Sequence, residues 1–166
     1  MTNYFKKLVA GFDETNNDAV KNAIYNDLIR FEKEADPRVV CYDMDLYVAL
    51  YKCALTPCQR SYALNHISGI IDDDYYGGDH ILFNFEEFII MKDFLHEDDV
   101  KLFDSLCRAV LYYFMDSFEE SLRPKRHHIV PLDSELCKRN LKKAVEIVKS
   151  TGMEEMESYK LACKLS

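Results

Sequence analysis

Apolar residues recur at helical spacing along most of this chain, and short polar runs with capping character interrupt them. Phe5, Leu8, Val9 and Phe12 stand at i, i+3, i+4 and i+7, one face of a helix. The polar run 13–18 closes that helix and supplies Asn and Asp side chains that accept from free helix N–H groups. A second helix is therefore expected from about Asp18 to Ala35, with Val20, Ile24, Leu28 and Phe31 inward. Asp36-Pro37 ends it, because proline lacks an N–H and pushes the preceding residue out of helical geometry. A β-prone piece, Val39 to Tyr42, comes next. A third helix from about Asp43 to Ala54 presents Leu46, Ala49, Leu50 and Cys53 on one face. Thr56-Pro57 reads as an N-cap with proline at the first helical position, and the helix it opens runs to about Ile71 with Leu64, Ile67 and Ile71 buried.

An acidic, glycine-bearing run, 72–80, then precedes a short apolar piece, Ile81 to Phe83, expected to be extended. Helix resumes from Glu86 to Leu95. His96-Glu97-Asp98-Asp99 caps the longest apolar stripe in the chain: Val100, Phe103, Cys107, Val110, Leu111, Phe114 and Phe118 recur at steps of three and four. The run 123–128 breaks it, and Ile129-Val130-Pro131 is expected to be extended. Asp133 or Ser134 caps a helix through Cys137, Leu141, Ala144, Val145 and Val148; Gly152 ends that helix, and Met153 to Leu165 forms a last amphipathic one. The pattern predicts an all-α fold of about seven helices. Residues 1–95 are read as one helical lobe with its N-terminal helix, and 96–166 as a helical second half, either an eroded second lobe packed on the first or a cover for it.

Between residues 18 and 95 the order is helix, short apolar piece, helix, Thr-Pro linker, helix, short apolar piece, helix. Phe83-Asn-Phe-Glu-Glu-Phe-Ile-Ile-Met91, straight after the acidic run, resembles the exit of an EF-hand calcium loop, and the linker resembles the joint between paired hands in calmodulin and troponin C. In that family a bidentate Glu closes the loop and opens the next helix. The resemblance implies helix-loop-helix pairs, with Val39–Cys41 and Ile81–Phe83 forming a short two-stranded β pairing between loops. It places Glu87 as the closing acid and Phe83 as the residue facing the neighbouring loop.

A 12-residue loop ending at Glu87 would put Gly78 and His80 where oxygen ligands belong. A loop of 14 residues from Asp74 is instead similar to a pseudo-EF-hand, in which the carbonyls of Asp74, Gly77, Asp79 and Leu82 face the ion and Glu87 gives both carboxylate oxygens. With one committed carboxylate the affinity for calcium is expected to be roughly 10⁻⁴ M or weaker. The alternative is a solvated acidic turn followed by ordinary first-turn helix acids. The equivalent segment 36–45 carries Pro37 and Arg38 early and is expected to be metal-free.

Composition sets the remaining bounds. Of 166 residues, 48% are hydrophobic and 13% aromatic, with five Gly and four Pro, which is too rich for disorder and too poor in turn material for a many-stranded β fold. Net charge is −8, and residues 1–95 hold nine basic and 16 acidic side chains, a balance that repels phosphate backbones and suits cations or basic partner helices. Nucleic acid is accordingly not expected as a partner, and the basic run Arg123 to His128 is read as a solvated turn. Six cysteines without a CxxC pair fit a reducing, cytoplasmic setting. No apolar run approaches the roughly 18 to 20 residues that span a bilayer.

Neither GxSxG, HExxH nor a phosphate loop occurs, so an enzyme is not expected. EF-hand relatives that have lost their ligands act as helical adaptors, as in myosin light chains. The resemblance thus implies a non-catalytic protein that grips an amphipathic partner helix, with calcium regulation weak or lost. Met91, Phe94, Phe114, Met115 and Phe118 offer the flexible thioether and aromatic surface such a groove uses. The alternative is an all-helical interaction protein unrelated to EF-hands, of a viral or parasitic kind, that binds a host factor or self-associates as a homo-oligomer. Absence of the stub pairing would favour it.

Overall fold

The computed structural model describes residues 3–72, 78–122, 133–150, 152, 154 and 156–166, and all regular structure among them is helical. Asp74 and Gly77, the basic run and Ile129-Val130 lie outside the described residues. Contacts cluster into two compact units, residues 1–70 and 71–166. No helix among the described residues is long and apolar enough to cross a membrane.

The first unit begins with α1 (Asn3–Glu14), which buries Phe5 and Phe12 seven residues apart, as the spacing predicts. In α2 (Asp18–Glu34), Asn17 is the N-cap and its side chain accepts from the N–H groups of Ala19 and Val20. Its inward face differs from the expectation. Tyr25 and Leu28 are buried, whereas Val20 and Phe31 are exposed. Phe31 instead meets the aromatic rings of α1, edge-on to Phe5 at 5.2 Å and tilted against Tyr4 at 5.8 Å.

The β-prone stub is likewise helical. Asp36 accepts from the Arg38 N–H and Pro37 takes the first position of a one-turn helix, α3 (Pro37–Val40), so the proline that ends α2 also starts the next element. Asp43 then caps α4 (Met44–Lys52), in which every residue from Met44 to Tyr51 is buried. Being apolar on nearly all sides, α4 forms the centre of this unit, with α1 and α2 packed on it. A reciprocal capping box opens α5 (Pro57–Asp72): Gln59 N–H donates to Thr56 Oγ1 at 3.3 Å while Gln59 Oε1 accepts from Thr56 N–H at 3.0 Å and Leu55 N–H at 2.7 Å.

In the second unit α6 (Gly78–Ile89) passes into a 3-10 turn over Ile90–Phe94. Helix therefore begins eight residues before the expected Glu86, and Ile81–Phe83, expected as an extended stub, lies within it. Ile81–Phe83 and Val39–Val40 of the expected β pairing are thus helical, with Cys41 the C-cap of α3. Three neighbouring apolar residues are compatible with a strand or with two sides of a buried helix, and here the tertiary packing chose helix. The long helix α7 (Val100–Ser121) follows the acidic 3-10 turn Glu97–Asp99 and buries Phe103, Leu106, Cys107, Val110, Leu111, Phe114 and Met115. Asp133 Oδ1 accepts from the N–H groups of Glu135 and Leu136 at the start of α8 (Ser134–Ser150). Gly152, at φ 69°, closes α8 in the left-handed region that favours glycine. The last helix, α9 (Glu157–Leu165), packs on α7 and α8.

Candidate functional site

Two places gather chemistry or recognition surface, one in each unit. In the first, Glu32 on α2 is a nearly buried carboxylate, its side chain 11% exposed. Tyr47 of α4 and Tyr62 of α5 donate to its Oε1 at 3.0 and 2.6 Å. His66, one turn beyond Tyr62, lies flat on the Tyr47 ring with centroids 4.4 Å apart and planes 2° off parallel, and its Nε2 is 4.0 Å from the same oxygen. A charge removed from water needs such donors, since an unpaired buried carboxylate is far costlier than a paired one. Tyr47 and Tyr62 are both pushed well above the usual phenol range, by burial first and then by the hydrogen bond to Glu32.

An open cleft of about 310 Å³ lies beside this cluster, lined by Tyr25, Ile29 and Lys33 of α2 and by Cys58, Gln59 and Tyr62 of α5. Two of its polar groups are occupied by folding: the Gln59 carbonyl oxygen closes the capping box and the Tyr62 hydroxyl serves Glu32. This arrangement fastens α2, α4 and α5 to one another. Sequence periodicity missed it, because the four side chains come from three helices and none belongs to a motif.

The second place is α6. Along this helix Ile81, Leu82, Asn84, Phe85, Phe88 and Ile89 are buried, toward α7 and α8, and Met91 is buried in the 3-10 turn that follows. Phe88 anchors that face, its ring 4.7 Å from Phe103 of α7. At steps of three and four on the other side stand Phe83, Glu86, Glu87, Ile90, Asp93 and Phe94. Phe83 is 58% and Ile90 42% exposed. Glu86 and Asp93 are exposed beside them, and Glu87 and Phe94 are half-buried. Lys92 belongs to the opposite side, its ammonium close to Gly152.

The residues assigned to calcium fall as follows. Asp79 and Leu82 lie in α6, where a helical carbonyl is turned to the N–H four residues on. Glu87 stands in the third turn of α6, whereas the resemblance expects it to open the helix. Among the described residues no group of three His, Cys, Asp or Glu side chains is placed to hold a metal ion. Of the residues assigned to partner binding, Met91, Phe114 and Met115 are buried in the second unit, and Phe94 and Phe118 are half-buried. Phe83 and Ile90 carry the exposed apolar surface of this segment instead. Reading 78–94 as one continuous helix would have revealed them, since they are seven residues apart with acids between.

Neither the protein-family models, nor the curated proteins, nor the solved structures contain a match to this chain.

Proposed function

We propose that this protein is a non-catalytic helical adaptor that docks an amphipathic helix of a protein partner on the outer face of α6. The observation that carries the reading is the exposure of Phe83 on α6 and of Ile90 at the start of the 3-10 turn that continues it, on one line opposite the buried Ile81, Phe85 and Phe88. Large apolar side chains held in water by a rigid helix gain free energy when a second apolar surface covers them, about 25 cal/mol per Å² removed from water. Spacing of seven residues matches two turns of a partner helix, the geometry of helix-in-groove recognition.

In this reading Glu32 and its tyrosines hold the first unit together and calcium regulation is weak or lost. The helical state of both stubs favours an adaptor that is not assembled as an EF-hand pair. Phe83→Asp and Ile90→Asp test the docking face. An amphipathic peptide with leucines at i, i+3, i+4 and i+7 is titrated against each variant while amide shifts are recorded. Shifts confined to α6 in the native protein, lost in both variants with the thermal midpoint unchanged, support the reading; shifts that persist in Phe83→Asp overturn it.

A further inference from the structure

We infer that the partner helix carries lysine or arginine beside its apolar stripe, and that a second copy of this chain is not what covers α6. The inference rests on the docking reading above and adds the partner's chemistry. Phe83 and Ile90 are flanked by the exposed carboxylates of Glu86 and Asp93, with Glu87 half-buried on the same line. The one basic residue of the segment, Lys92, reaches the other way, toward Gly152. The outer face is therefore apolar with exposed carboxylates along one side, in a unit with 20 acidic and 13 basic residues.

Such a face discriminates between occupants. A basic amphipathic helix that seats its apolar residues on Phe83 and Ile90 brings ammonium or guanidinium groups within reach of Glu86 and Asp93, which speeds encounter and fixes register. An acidic helix with the same apolar stripe meets like charges at every turn. Two copies of α6 laid face to face would do the same, because each contributes the same carboxylates to a self-complementary contact. The repulsion that excludes those occupants is part of the specificity, beside the attraction that selects the basic one.

Two labelled amphipathic peptides with an identical leucine stripe, one flanked by lysines and one by glutamates, provide the test, read by fluorescence anisotropy against the full chain. The lysine peptide is expected to bind at least tenfold more tightly at low salt, with an advantage that shrinks as ionic strength rises. Glu86→Lys with Asp93→Lys should reverse the preference. The same charge change at Asp18 and Glu34 of α2, which alters net charge equally but lies in the other unit, should leave it in place. Phe83→Ala should weaken both peptides. Equal binding of the two peptides, or loss of preference on changing α2 alone, overturns the inference while leaving the docking face standing. Failure of Phe83→Ala to weaken either peptide overturns the docking face itself. Sedimentation at low and high salt completes the test: a dimer disrupted by Phe83→Asp would show that a second copy is the occupant.

Discussion

Tyr47 and Tyr62, from different helices, donate to one and the same oxygen of Glu32. Removing either hydroxyl leaves the carboxylate with one donor fewer in a largely dry setting. Tyr47→Phe is expected to cost about 1–3 kcal/mol, the usual range for a partner lost from a buried charged group. Tyr62→Phe should cost less, because Tyr62 is 38% exposed and water can replace its hydroxyl. The double variant should cost more than the two single effects combined, since the first deletion leaves a donor that the second removes. Urea denaturation of the four proteins gives the coupling; strict additivity would mean that the two phenols act independently.

Alkaline pH probes the same cluster. Tyr47 and Tyr62 are raised above the ordinary value of 10.0 by burial and by Glu32, and Tyr25 is raised by burial with Glu32 adding to it. Below pH 10 all three phenols are protonated folded and unfolded, and their contribution to stability is fully present. Above it the unfolded chain releases those protons while the folded one retains them, so stability falls as pH rises. The share of phenolate absorbance that belongs to these three tyrosines should therefore appear late and together with loss of helix. In a protein carrying both Tyr47→Phe and Tyr62→Phe the dependence should flatten; an unchanged slope would assign it to other tyrosines.

Thiol reactivity separates the cysteines by position. Cys41, Cys58 and Cys163 are exposed, Cys137 is half-buried, and Cys53 and Cys107 are buried. Burial pushes the Cys53 thiol up to about 12, with Asp13 adding to the effect, and raises Cys107 as well. Thiolate is the reacting species, so buried and raised thiols are slow on both counts. An aromatic disulfide reagent is expected to titrate three thiols quickly, a fourth slowly, and Cys53 and Cys107 only with unfolding. Rapid labelling of Cys107 would show that α7 is not packed as described.

Calcium offers a test of the α6 start. A pseudo-EF-hand loop would draw on carbonyls at Asp79 and Leu82, which a helix from Gly78 directs at its own N–H groups. A site of roughly 10⁻⁴ M affinity would add about 2.7 kcal/mol with free ion at about a hundred times its dissociation constant, several degrees in thermal midpoint for a chain of this size. The expected outcome is no shift. A rise of that size, abolished by Glu87→Gln, would show that residues 78–87 rearrange into a loop around the ion.

Caps and long stripes were legible in the sequence because they act locally. Asn17, Asp43, Thr56 with Gln59, and Gly152 each satisfy or terminate a helix through neighbours a few residues away, and each stands at or next to the expected boundary. The stripe from Phe103 to Phe114 is long enough that its period admits one reading. Ile81–Phe83 and Val39–Cys41 are too short for that: packing decides the first, and the Asp36 cap with Pro37 at the first helical position turns the second into helix. Glu32, Tyr47, Tyr62 and His66 were invisible for another reason: their association spans three helices and leaves no spacing to read.

The orientation of α6 has the sharpest energetic signature. Phe83 and Phe88 are chemically identical and five residues apart, yet one is 58% exposed and the other fully buried against Phe103. Truncating a buried phenylalanine removes its transfer free energy and leaves a cavity, so Phe88→Ala is expected to cost about 3–5 kcal/mol. Truncating an exposed one disturbs neither, and Phe83→Ala should fall within about 0.5 kcal/mol of the native protein. Urea midpoints at constant slope make the comparison direct, because an altered slope would signal a change in the unfolded chain or a lost two-state transition. A cost of 2 kcal/mol or more at Phe83, on the order of a buried apolar side chain, would place its ring inside the protein. The loop-pairing expectation, which turns Phe83 toward a neighbouring loop, would gain by that result, and the outer face of α6 would then no longer be available to a partner.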